Sequence, residues 1–173
     1  AKDQSSLDDD KTQSAIRFVM QLDRALEFKD ADVHEMALFA IDGLLTKGQL
    51  PNGGFPQVYP VPNEHHDQLL AIKASFPQDW SRTYQGHQSY WYRYTLNGNR
   101  ASAVAETLFL AEKIYGDDKY REAAIRLGDF LIKAQLPDPQ PAWAQQYSYQ
   151  MHPIWARKFE PPAITGGESQ DVI

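Results

Sequence analysis

The chain contains no cysteine, and its 173 residues carry more acidic than basic side chains. Without cysteine there can be no disulfide, no zinc–thiolate site and no cysteine nucleophile. The formal net charge of −6 argues against broad nucleic-acid binding, because that function needs a basic face. The same charge would repel a polyanionic sugar unless cations or local arginines intervene.

Long apolar runs are also lacking. No stretch approaches the ~20 apolar residues that span a bilayer, and the start AKDQSSLDDDK has no apolar segment of the kind found in signal peptides. The sequence therefore predicts no membrane partner. With 42% apolar and 23% charged residues, its composition is typical of a soluble globular protein, and its length fits one domain with ample core.

Aromatic side chains are plentiful, with 4 Trp, 9 Tyr and 8 Phe, and many of the Trp and Tyr lie outside periodic segments. Sugar rings present flat apolar faces edged with hydroxyls, so a cleft of Trp and Tyr flanked by Gln, Asn and Arg suits a carbohydrate. A core and surface that are simply rich in aromatics would have the same composition, and composition alone leaves both interpretations open.

The spacing of apolar residues predicts four helices, at about 10–28, 30–48, 101–115 and 118–135. Gly116 ends the third helix, and Asp117 or Asp118 can cap the fourth. Residues 49–99 have no clear period. An irregular region of that length inside a compact domain is usually functional or wrongly interpreted.

Two stretches repeat each other: LLTKGQLPNGGFPQVYP, residues 44–60, and FLIKAQLPDPQPAWAQQY, residues 130–147. Each has the end of a helix, then Gln-Leu-Pro, then an aromatic-x-Gln-x-Tyr segment. A repeat of helix-plus-loop units predicts an all-α, (α/α) toroid-like array with its loops gathered on one face. Chance similarity between two helix ends is the alternative.

The chain's last segment, TGGES at residues 165–169, has the T-x-x-E spacing of a capping box. In that motif the Thr165 hydroxyl and the Glu168 carboxylate satisfy free amides at a helix start. Because the chain ends at Ile173, we expect a fold that is incomplete at its C-terminus. A Glu168 side chain aimed into a cleft is the competing interpretation.

Four blocks together, PNGGFPQVYP, YTLNGN, WAQQY and WARKFEPPAITGGES, resemble the family 10 pectate lyases. The resemblance implies a single, partial catalytic-type domain over residues 1–173 of a helical toroid-like lyase. Such enzymes cleave polygalacturonate or a related polyuronate by calcium-assisted β-elimination with an arginine as base. It also implies a secreted or periplasmic protein. Residues 61–90 match none of the blocks and are predicted to be an inserted loop.

The resemblance also nominates site residues. Arg157 is the candidate catalytic arginine, although an Arg157–Glu160 ion pair is an equally good interpretation. Glu160 and Asn97 are also candidate substrate-binding residues. The other predicted cleft residues follow the two repeated helix ends: Trp143, Gln145, Gln146, Tyr147 and, on the equivalent rim, Tyr59.

The expected calcium ligands depart from the family's pattern. Gly98 and Ser148 stand where the resemblance implies acids, which leaves the neutral side chains of Asn97 and Asn99 as metal ligands. Neutral oxygens bind calcium weakly, so we expect weak or substrate-dependent binding. Arg100 either binds a uronate carboxylate directly or is an exposed arginine at a helix start.

Two other functions stay open. A glycoside hydrolase would need two carboxylates across the scissile bond, and Glu160 and Glu168 are the pair that the sequence offers. A non-catalytic polyuronate-binding protein would keep the aromatics and lose the charged centre. We also expect the 173-residue chain alone to be catalytically inactive, because an open cleft would admit water.

Overall fold

A computed structural model describes residues 3–63, 72–79 and 81–173. The chain folds into these elements, in order: β1 (Ser5–Ser6), α1 (Lys11–Ala25), α2 (Ala31–Gly43), β2 (Val58–Tyr59), β3 (Tyr94–Thr95), α3 (Arg100–Tyr115), α4 (Asp118–Ala134), β4 (Gln146–Tyr147) and α5 (Gly166–Val172). Single 3-10 turns lie at Asp8–Asp10 and Tyr90–Tyr92, and a π turn, Leu44–Gly48, extends α2.

The four helices predicted from apolar spacing are confirmed within a few residues. The Asp30 carboxylate accepts hydrogen bonds from two amides at the start of α2, and Asp117 accepts one from the Lys119 amide at the start of α4. Gly116 ends α3 in the left-handed region, with a φ of 69°. These signals are local, which explains why the sequence alone predicted the helices.

The prediction of an all-α toroid is wrong, because two small antiparallel sheets accompany the five helices of the described residues. In the first sheet β1 pairs with β2, Ser5 opposite Tyr59. In the second β3 pairs with β4, Tyr94 opposite Tyr147. The physical reason is that the backbone after each helix pair needs hydrogen-bond partners. The segment that follows each pair finds them in the segment that precedes it, so β2 pairs with β1 and β4 with β3.

The two sheets give the sequence repeat a structural meaning. Each repeated stretch ends in a strand, β2 or β4, so the chain contains two successive strand–helix–helix–strand units. Within the units α1 packs on α2 and α3 packs on α4, while α1 and α3 join the units. The shared core includes Met20, Ile41, Leu108 and Phe130, all buried. One continuous core therefore supports both sheets.

α5 starts directly after Thr165, as the T-x-x-E spacing predicts, but the Thr165 hydroxyl makes no capping hydrogen bond. Residues 64–71 and Trp80 lie outside the described part of the chain, so the predicted insertion at 61–90 stays a prediction. Across the residues that the structure describes, none of the helices is both long enough and apolar enough to cross a bilayer.

Candidate functional site

Four charged side chains and one tyrosine from distant parts of the chain influence one another electrostatically near the start of α3. We call this group the charged centre: Asp8, Tyr90, Arg100, Arg157 and Glu160. Asp8 and Tyr90 come from the two 3-10 turns, and Arg100 is the first residue of α3. The charges of the other four residues all influence the Tyr90 hydroxyl, and Asp8 influences both arginines. These groups therefore form one electrostatic unit.

Arg157 and Glu160 form a two-pronged ion pair. Arg157 Nε donates to Glu160 Oε2 at 2.7 Å, and Nη2 donates to Oε1 at 2.5 Å. The Arg157 amide also donates to Oε2 at 3.1 Å, and the guanidinium lies 4.7 Å from the Phe159 ring centroid. The Glu160 side chain is 8% exposed, whereas that of Arg157 is 55% exposed. A buried carboxylate thus fixes an accessible guanidinium.

The ion pair shifts both pKa values in the direction that keeps Arg157 positively charged and Glu160 negatively charged. Hydrogen bonds from Arg157 hold the pKa of Glu160 below its usual value, and the hydrogen bond to Glu160 raises the pKa of Arg157 above its usual value. An arginine acts as a base only when its guanidinium is neutral. The pairing therefore argues against Arg157 as a base and leaves it suited to binding an anion through Nη1.

Arg100 is buried, with 1% of its side chain exposed, so it is not the exposed helix-start arginine that one interpretation expected. Its Nε lies 3.4 Å from the Leu7 carbonyl oxygen, and Nη2 lies 3.3 Å from Asp8 Oδ1. Among the described residues Nη1 has no hydrogen-bond partner. Burial lowers the pKa of Arg100 to about 10, so the group stays charged at neutral pH.

The charges of both arginines influence the Tyr90 hydroxyl, and the sequence did not indicate this residue. Burial raises the pKa of its hydroxyl, which therefore keeps its proton and can donate a hydrogen bond. Asp8 was missed as well, because an acidic run before a helix predicts only a helix start. Neither residue carries a local signal: the fold brings each of them to Arg100.

Four residues predicted to line a cleft are instead buried: Trp143, Tyr147, Tyr59 and Gln146. Trp143 Nε1 donates to the Leu131 carbonyl at 2.8 Å, and the Tyr147 hydroxyl accepts from the Ala144 amide at 2.7 Å. Gln146 Nε2 donates to the Ile154 carbonyl at 2.6 Å. These contacts anchor loops to the core, and the burial removes the four side chains from the candidate site.

Gln145 keeps a place at the edge of the charged centre. Its side chain is half-buried, and Nε2 donates to Glu168 Oε1 at 3.4 Å. The Glu168 carboxylate is close enough to influence Arg100. Glu168 therefore faces the site and does not cap α5. Of the two interpretations of the T-x-x-E segment, this supports the one with Glu168 directed into a cleft.

The residues at the predicted metal position do not fit calcium. Asn97 is half-buried and Asn99 is exposed, and Asn99 precedes α3 with a φ of 57°. Both offer neutral amide oxygens, and the next residue is the charged Arg100. Among the described residues no group of three or more acidic or histidine side chains could hold a metal ion. Calcium prefers six to eight oxygens that include carboxylates, and this donor set does not supply them.

Comparisons with known proteins bear on the fold. No protein-family model matches the sequence, and no curated protein is similar enough to count as a match. A solved structure described as "Family 10 polysaccharide lyase from Cellvibrio cellulosa" superposes with a TM-score of 0.72 at 18% identity. The alignment covers 98% of this chain and 48% of that one, so this chain spans about half of the lyase's length. The resemblance found in the sequence is thus supported at the level of fold: this chain has the fold of about half of a family 10 polysaccharide lyase.

Proposed function

We propose that the chain binds polyuronates such as polygalacturonate, as part of a pectate lyase-like protein that cleaves them by β-elimination. The fold shared with a polysaccharide lyase supports a polysaccharide ligand. The charged centre supports an acidic one, because the exposed guanidinium of Arg157 can bind a carboxylate, although Asp8 and Glu160 balance the formal charge of the two arginines. A polymer of this kind lies outside the cell, so the proposal includes a secreted or periplasmic location.

The observation that carries the proposal is the accessible guanidinium of Arg157, with the buried charge of Arg100 in the same electrostatic unit. Each uronate unit carries one carboxylate, and a guanidinium binds a carboxylate with paired, charge-assisted hydrogen bonds. Arg157 is accessible and held in place by Glu160. Arg100 is buried and has an amino group without a partner among the described residues. Because only 1% of its side chain is exposed, Arg100 would act on a bound carboxylate through its charge, and Arg157 would make the direct contact.

The charged centre supports binding better than proton abstraction. In the elimination a base takes the C5 proton, a carbon–carbon double bond forms between C4 and C5, the C4–O bond breaks, and the leaving oxygen gains a proton. Arg157 is a poor base because its pKa is raised. We assign Arg157 to binding the substrate carboxylate and Arg100 to supporting it through its charge, because positive charge stabilises the negative charge that develops during the reaction. We expect the isolated 173-residue chain to release no unsaturated product.

We further propose that carboxylate recognition here depends little on calcium. Asn97 and Asn99 alone would make a weak site, and the charge of Arg100 opposes a cation beside them. Binding of polygalacturonate should therefore change little when calcium is chelated. A calcium ion held firmly by these two asparagines would contradict this part of the proposal.

The hydrolase alternative is less compatible with the contacts. One carboxyl group of a glycoside hydrolase must be protonated to act as the acid. Glu160 has both oxygens bound by Arg157, and its pKa is lowered. A non-catalytic binder remains the second candidate, and the raised pKa of Arg157 favours it. In the whole lyase-like protein, ultraviolet absorbance would separate the classes, because only a lyase creates a carbon–carbon double bond.

Calorimetric titration of the full chain with trigalacturonate tests the proposal. We expect binding, and we expect Arg157→Gln to weaken it about tenfold. Lys158→Gln is the matched control, because it removes the same charge from an exposed neighbour. The control should change affinity less than about twofold. Absence of heat with the unaltered chain, or equal losses in both variants, would refute carboxylate recognition by Arg157.

A further inference from the structure

A groove lies between residues 77–79 and 81–88 on one side and residues 148–155 and 161–162 on the other, and none of its lining residues belongs to the charged centre. It encloses a cavity of ≈ 310 Å³, which adjoins a second cavity of ≈ 400 Å³. Ser81, Trp155 and Pro162 border both cavities. Ligand sites usually occupy about 300–1,000 Å³, so the two cavities together have room for successive units of an oligomer.

The tryptophan between the cavities is held from two sides. Trp155 Nε1 lies 3.5 Å from the Ser81 carbonyl oxygen, and its ring meets the Tyr84 ring edge-on, with centroids 5.4 Å apart and an interplanar angle of 68°. The Tyr84 hydroxyl is 3.4 Å from the Ala156 carbonyl oxygen. Because these contacts fix its orientation, the indole is a preorganised apolar surface that loses little freedom when a ligand stacks on it.

The polar lining of the groove includes three uncharged glutamine amides. Gln85, Gln88 and Gln150 line it and are exposed. Gln85 Nε2 is 3.1 Å from both the Ser81 hydroxyl and the Thr83 carbonyl, which braces that wall. An amide side chain offers both donors and an acceptor, which is the set of groups that sugar hydroxyls need.

The charge of the groove differs from that of the charged centre. Asp79 lines the first cavity, and its described lining includes no lysine or arginine. Arg82 lines the second cavity. A uronate carboxylate in the first cavity would meet an acid and no permanently charged base. A neutral sugar would meet hydrogen-bonding groups, the indole and apolar side chains such as Ile154.

We propose that this groove is a second carbohydrate site, which binds neutral sugar units through stacking on Trp155 and hydrogen bonds to the glutamine amides. The inference goes beyond the proposed function, because the groove needs neither elimination chemistry nor a polyuronate. It adds a specificity: the chain would recognise a neutral oligosaccharide at the groove and an acidic one at the charged centre.

Calorimetry and ¹⁵N-detected NMR titration of the full chain test the proposal with three neutral probes: xylotetraose, β-1,4-galactotetraose and mannotetraose. At least one probe should bind and shift the amide signals of residues 81–88 and 148–155. Trp155→Ala should weaken that binding about tenfold or more, and Gln88→Ala, an exposed position, about threefold. Phe109→Ala is the control, because it removes an exposed aromatic side chain of α3 that does not line the groove.

Each outcome decides the question. Binding that Trp155→Ala weakens and Phe109→Ala leaves unchanged supports the groove. No response to any neutral probe at about 10 mM refutes it, as does binding that Trp155→Ala and Gln88→Ala leave unchanged. Displacement of the neutral probe by trigalacturonate would also refute it, because the groove would then belong to the polyuronate site. Failure of trigalacturonate alone would count against the proposed function and not against the groove.

Discussion

Replacing Arg100 with methionine should stabilise the fold and weaken polyuronate binding at the same time. The pKa of Arg100 is about 10 in the folded chain, against an ordinary value of 12.5, and the largest cause is burial. Folding thus disfavours the charged form by about 3 kcal/mol. Folded Arg100 is charged at every pH below about 10. The free-energy cost of burying its charge is therefore fully present at neutral pH, and it is relieved only as the pH rises above about 10.

The contacts that methionine would lose offset only part of that cost. The Leu7 carbonyl would keep a hydrogen bond from Gln13 Nε2 at 3.0 Å, and the Asp8 side chain, which is 42% exposed, would regain water. The two lost hydrogen bonds are long and worth about 0.5–1 kcal/mol each. Arg100→Met should therefore raise the free energy of unfolding by about 1–2 kcal/mol.

Urea denaturation at neutral pH measures this change, and calorimetry with trigalacturonate measures the loss of affinity, which we expect to be about tenfold. Arg24→Met is the control, because it removes the same charge from an exposed position near the end of α1. The control should shift stability by less than about 0.5 kcal/mol. A destabilised Arg100→Met variant, or one with unchanged affinity, would refute the argument that this buried charge is kept for a ligand.

Two further changes test the supporting contacts. Hydrogen bonds from Arg157 lower the pKa of Glu160 below its ordinary 4.5, so the pair stabilises the fold above that pH and is lost as the pH falls through the lower folded value. Glu160→Gln should flatten the fall in melting temperature between about pH 5 and pH 3, and an unchanged acid profile would contradict it. Gly53→Ala would place a Cβ 2.0 Å from the Arg126 carbonyl oxygen at a φ of 93°, and should cost about 3 kcal/mol or more in urea denaturation. Gly86→Ala, with a φ of 84° and nothing within 4 Å, should cost about 1–2 kcal/mol, and equal losses would exclude the clash.

The parts of the fold that the sequence predicted are those with local causes. The helices follow from apolar spacing and from caps such as Asp117, each within one or two turns of the backbone it organises. The strands escaped prediction because each has two residues, too few for an alternating pattern to appear. Without them the repeated Gln-x-Tyr segments suggested only loops, and the predicted all-α class followed from that omission.

In the candidate site, too, the sequence predicted local contacts and missed those between distant parts of the chain. Arg157 and Glu160 are three residues apart, and the sequence offered their ion pair as one of two interpretations. Arg100 contacts Leu7 and Asp8, which precede α1 and lie more than 90 residues away in the sequence. No local pattern indicates such a contact. Tyr147 and Trp143 were predicted as cleft residues because aromatics suit sugars, but core packing uses the same side chains.

The most direct test of polyuronate recognition observes the two guanidinium groups themselves. In ¹⁵N-labelled full chain, the Nε–Hε signals of Arg100 and Arg157 can be assigned from the Arg100→Met and Arg157→Gln variants and followed during titration with trigalacturonate. We predict that both signals shift along one binding curve. The signal of Arg126, an exposed α4 residue that donates to Gln49 Oε1, should stay in place. Unmoved Arg100 and Arg157 signals at saturating trigalacturonate would contradict the proposed site.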